Sequence, residues 1–145
     1  MAQHEPTEIL LAGLQIVAPW LTSCGFVWVP GSSGRGSGGK FDSGTFVRNE
    51  RSLELHVRYS LGLVTYHIGP VAISHADYMI HTGHKSDSRY PGFSEDPIEA
   101  FRSLAYDLTH YCEDFLLGSG ASLIEARIAA DALTKLPGFQ RLGED

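Results

Sequence analysis

The sequence predicts one α+β domain over residues 1–145. It comprises an N-terminal helix, an antiparallel four- to five-stranded meander, a short helix, and two C-terminal helices packed on one face of the sheet. Three observations predict this. Apolar and polar side chains alternate through residues 52–68, SLELHVRYSLGLVTYHI, as on a half-buried strand pair. Apolar residues recur at helical spacing near the N-terminus and again after Asp96. A chain of 145 residues, 43% hydrophobic and 19% charged, has the composition of a globular domain with one core.

Residues 6–21 read as the first helix, with Leu10, Leu14, Val17 and Leu21 on one stripe and Ile9, Leu11 and Trp20 widening it. Thr7 is a candidate cap, Pro19 is expected to disturb the last turn, and Gly25 marks the stop. Residues 26–29 form a short apolar strand. Residues 31–44 hold six glycines and read as a flexible Gly-rich loop within the domain. A strand at 45–48 leads into the central hairpin. With a tight turn at Leu61 and Gly62, Tyr59 faces Val64, Val57 faces Tyr66, and Leu55 faces Ile68. Those residues and Leu53 form the side that helices cover. Glu54, His56, Arg58, Thr65 and His67 form the polar side, with His56 opposite His67 and Arg58 opposite Thr65.

Residues 71–73 make a last edge strand. Ser74 with Asp77 starts a helix over 75–82, which Gly83 stops. Tyr90 to Phe93 form a turn. Asp96 caps the next helix, Pro97 opens it, and an apolar face from Ile98 to Phe115 carries it to Gly118. Ser122 with Glu125 starts the last helix over 123–136, apolar at Ile124, Ile128, Leu133 and Leu136 and ended by Pro137 and Gly138.

The net charge of −6 lies wholly after residue 93, since residues 1–93 carry seven acids and seven bases. An acidic C-terminal third without a basic stripe argues against nucleic acid as a partner and suits a basic protein. The apolar run at 9–21 follows Glu5 and Glu8 rather than Lys or Arg, and is too short to span a bilayer. No membrane is expected, and the location is read as cytoplasmic. Cys24 and Cys112 read as buried free thiols.

No cofactor is expected. Gly34, Gly36 and Gly39 match a G-x-G-x-x-G string, but strand rather than helix follows, so the amides that would hold a pyrophosphate are missing. Gly39-Lys40 lacks the Ser or Thr of a P-loop, and no G-x-S-x-G occurs. Two histidine groups remain. His56 and His67 with Glu54 could hold a metal or act as an acid–base pair. His75, His81 and His84, with Asp77 and Asp87, read as surface histidines beside a polar loop.

The favoured expectation is a polar recognition strip of Glu54, His56, Arg58, Thr65 and His67, to which the Gly-rich segment adds Arg35 and Lys40 for a partner or an anion. In general plan the chain looks like small acidic bacterial immunity or antitoxin proteins. That likeness implies a non-enzymatic protein-binding module, an immunity-type inhibitor that uses an acidic helical surface. The alternative is a small metal-binding protein or enzyme using the histidines of the hairpin. A homodimer through a free sheet edge is a further expectation.

Overall fold

The computed structural model describes residues 5–36, 39–92 and 95–134. A helix α1 (Pro6–Ser23) leads into strands β1 (Val27–Gly36), β2 (Gly39–Arg48), β3 (Arg51–Val57), β4 (Leu61–Ile68) and β5 (Val71–Ser74). Helices α2 (His75–His81), α3 (Glu99–Tyr111), α4 (Glu113–Leu116) and α5 (Ala121–Thr134) follow. The strands form one antiparallel sheet in the order β1-β2-β3-β4-β5, so β1 and β5 are its edges. This is the expected α+β meander with its helices against one face.

Why one face is covered follows from the period of two. Leu53, Leu55 and Val57 of β3, Val64 and Tyr66 of β4, Phe46 of β2 and Ile73 of β5 are all buried. They join one core with Leu10, Val17 and Leu21 of α1, Leu104 and Leu108 of α3, and Leu123 of α5. Helix α1 lies against the β1–β3 part of the sheet and α3 packs on α1, while α5 packs on α2 and β5. At the α1–α3 crossing Gly13 is buried, and a methyl there would fall within the ring of Phe101. In the sheet, the Trp28 indole rests on Gly44 in the same way and lies 4.9 Å from the Phe46 ring.

Several boundaries differ from the sequence expectation. The described glycines of residues 31–44 lie in strands rather than in a loop: β1 and β2 contain them, with Gly36 opposite Gly39, Arg35 opposite Lys40, and a register shift between Pro30 and Ser33. Glycine lowers strand propensity but does not forbid extended backbone, and the long hairpin satisfies its polar groups by pairing. The central hairpin turns at residues 58–60 rather than at Leu61 and Gly62. Leu55 therefore faces Val64, Leu53 faces Tyr66, His56 faces Leu63, and Ser52 faces His67. The shift is even, so the buried set is kept apart from Tyr59, which is 74% exposed at the turn. Leu61 is buried and is held in the strand for that reason.

Helix α1 passes through Pro19 to Ser23, and its cap position is Glu5, without a side-chain cap bond from Thr7. Gly25, at φ +93°, closes its end as expected. Ser74 caps α2 by accepting from the Asp77 N–H at 3.1 Å. The long third helix is broken at Cys112 into α3 and α4, where Arg51 donates to the Phe115 carbonyl at 2.7 Å. Asp114, not Glu125, serves the start of α5, accepting from the Ser122 N–H at 2.9 Å and its hydroxyl at 2.7 Å. In α5 the buried stripe is Leu123, Ala126 and Ala130, while Ile128 and Leu133 are exposed. Leu136, Pro137 and Gly138 lie outside the described residues. No helix among the described residues is long and apolar enough to cross a membrane.

Candidate functional site

The sheet face turned away from the helices gathers the residues that the sequence marks for recognition. One row crosses all five strands: Val29, Thr45, Glu54, Thr65 and Ser74 stand opposite one another in turn. The next row holds Val27, Val47, Ser52, His67 and Ala72, and on the other side Ser43, His56 and Leu63 align. Val27 is 65% exposed, Val29 48% and Leu63 66%, so apolar side chains are mixed with the polar ones on this face.

His56 and His67 do not face each other. The four-residue change in register places them in different rows, and each has its own partner. His67 Nε2 lies 3.1 Å from Glu54 Oε1, a diagonal contact across β3 and β4. The His56 ring stacks on Phe41 at 5.3 Å, and the Arg58 guanidinium lies 5.6 Å from the same ring. Among the described residues, no three His, Cys, Asp or Glu side chains are grouped so as to hold a metal ion. A ligand set built on a facing His56–His67 pair therefore loses its geometric basis.

Arg35, Lys40 and Arg58 come together at the end of the β1–β2 hairpin, beside the first turn of α1. With Glu5, Pro6, Gly39 and Tyr59 they line a cleft of about 290 Å³. Lys40 Nζ is paired with Glu5 at 3.1 Å, and Arg58 donates to the Gly39 carbonyl at 3.0 Å. Thus the seven expected site residues divide into two groups. Glu54, His56, Thr65 and His67 belong to the open face, Arg35 and Lys40 to the cleft, and Arg58 stands between them.

The most connected polar group is one that sequence reasoning placed elsewhere. His75 is not a surface histidine: it is buried at the start of α2, with Nδ1 2.7 Å from the Tyr66 hydroxyl and Nε2 2.8 Å from Asp107. Asp107, fully buried on α3, also accepts from the Ser88 hydroxyl at 2.5 Å and from the N–H groups of Arg89 and Tyr90 at 2.8 and 3.1 Å. Burial pushes its carboxyl up, but the bonds from His75, Arg89, Ser88 and Tyr90 outweigh that and hold it below the usual carboxylate range. An ionised carboxylate only accepts, so His75 Nε2 carries a proton. In the neutral ring Nδ1 then accepts from the Tyr66 hydroxyl.

Cys112 Sγ lies 3.5 Å from that hydroxyl, and burial pushes its thiol up to about 12. A thiol so seldom ionised is a poor nucleophile. Tyr66 is likewise driven upward, first by burial. The arrangement therefore acts as an internal brace, tying the 88–90 segment to α2, α3 and β4. Tyr90 extends it by donating from its hydroxyl to the carbonyls of Leu61 and Gly62 at 3.0 and 2.8 Å. The only sequence sign was an aspartate in the apolar run of α3, which marks a buried acid once its helical phase is known.

The acidic helical surface is smaller than its count of acids suggests. Asp107 and Asp114 bond inside the fold, Arg102 pairs with Glu99 at 3.3 Å, and Arg127 pairs with Asp131 at 3.2 Å. No family model matches this chain, and neither does any curated protein or solved structure.

Proposed function

We propose that the protein is a non-enzymatic protein-binding module whose recognition surface is the open face of the sheet. The observation that carries this is the exposure of Val29 and Leu63 on the same sheet face as the Glu54–His67 pair. Apolar side chains next to polar ones on a broad, fixed scaffold match the make-up of protein interfaces. The strands hold the side chains in place, so little order is lost on binding. An immunity-type inhibitor is one member of this class. The net charge of −6 favours a basic partner through long-range attraction. Contact is assigned to the sheet, because arginines already answer much of the helical acid.

The test is affinity capture from the native host with the full chain. The double variant Val29→Glu, Leu63→Glu should lose the captured protein while keeping its melting temperature, and Glu125→Lys on α5 should retain it. Equal capture by the double variant, or no specific protein captured at all, would overturn the assignment.

A further inference from the structure

We propose that the cleft at the Arg35–Lys40 end of the hairpin is an oxyanion site that takes a phosphoryl group. It lies at the end of the sheet and stands independently of the protein-binding role of the open face. Arg35 and Lys40 are direct cross-strand partners. Like charges set opposite each other on a strand pair repel, so the two side chains do not themselves favour this pairing. Arg58 adds a third cation, fixed by the Gly39 carbonyl and by Phe41. Among the described residues Glu5 is the one carboxylate lining the cleft, and it lies against Lys40 with its two oxygens at 3.1 and 3.2 Å. The Arg35 guanidinium has no hydrogen-bond or ion-pair partner among the described residues.

Three cations facing one carboxylate leave an excess of two positive charges in a chain whose net charge is −6. A phosphate monoester carries about −1.5 to −2 near neutral pH, a closer match than a single carboxylate. Guanidinium groups present their donors in a flat fork that suits phosphoryl oxygens. Helix α1 starts at this cleft with no side-chain cap, so its dipole adds to the attraction. Glu5 already places a carboxylate against Lys40, and it competes with the incoming group.

The full chain is titrated by NMR at low ionic strength with inorganic pyrophosphate, with a phosphoserine peptide whose phosphate is its one charged group, and with acetate. Saturable shifts at Arg35, Lys40 and Tyr59 are expected with pyrophosphate or the peptide and not with acetate. Pyrophosphate alone identifies a free phosphate ligand; response to the peptide as well identifies a site that also reads a protein-borne phosphate. Arg35→Gln should weaken binding about tenfold, as for loss of one charge-assisted hydrogen bond, and Glu5→Gln should strengthen it about threefold to tenfold by removing the competitor. Both residues lie at the surface, and unchanged melting of each variant confirms its fold. No saturable response, an equal response to acetate, or binding unaltered in both variants would overturn the proposal.

Discussion

Asp107 accepts hydrogen bonds from two side chains and two backbone amides while wholly shielded from water. Asp107→Asn keeps the shape but turns an acceptor into a donor facing donors, and should cost about 3 kcal/mol. The pH dependence has a definite sign. The folded carboxyl sits below its ordinary value of 3.8, so the unfolded chain binds the proton first. Its contribution is complete above that value and is lost as pH falls through it towards the lower folded value. Urea unfolding from pH 7 to 2.5 should show a shallower acid limb for Asp107→Asn than for the parent. Parallel limbs would show that Asp107 is not the linked group. His75 could not be placed from sequence because its burial depends on an acid 32 positions away. A histidine after a helix-capping serine looks the same whether it faces water or a carboxylate.

Among the elements, α1 and α3 meet closely, since Phe101 sits directly on Gly13. In an isolated helix, alanine is better than glycine by about 1 kcal/mol. Here the added methyl meets a ring that is itself fully buried, and overpacking of that kind costs about 1–3 kcal/mol. Gly13→Ala should therefore destabilise in denaturant unfolding, and Phe101→Leu should lessen that penalty in the double variant. A stabilising Gly13→Ala would show that Phe101 can move aside. The elements also show where periodicity informs and where it fails. Alternation in β3 and β4 identified the buried face, and an even shift in pairing left that face unchanged. It did not fix the turn, because the glycine at 62 invited one while the burial of Leu61 moved it earlier. The glycines of β1 and β2 hid a hairpin whose pairing comes from backbone groups rather than from side-chain pattern. The break at Cys112 was hidden too, since Arg51 reaches α4 from a strand more than sixty positions earlier.

In the whole molecule, one continuous core joins the inner face of the sheet to α1, α3, α4 and α5. A domain built around one such core is expected to unfold as a unit. Calorimetry should give one transition with equal calorimetric and van't Hoff enthalpies; two separable transitions would divide the chain into independent parts. The layer arrangement was legible because it needs only the count, order and faces of the elements. The positions of the marked residues were legible in part: Glu54, His56, Thr65 and His67 lie on the open face, but the two histidines are apart and Arg58 joins the cations at the hairpin end. Which side chains meet depends on register and on long-range contacts, and one sequence constrains these weakly.

The outermost strand β1 also bears on how copies of this protein behave in a crowded solution. Among the described residues its backbone has a strand neighbour on only one side, which would ordinarily invite run-on stacking into fibrils. Pro30 offers no N–H, and the offset between Pro30 and Ser33 interrupts the straight ladder that a further strand would need. The protein thus displays a long margin while keeping its own brake on endless growth.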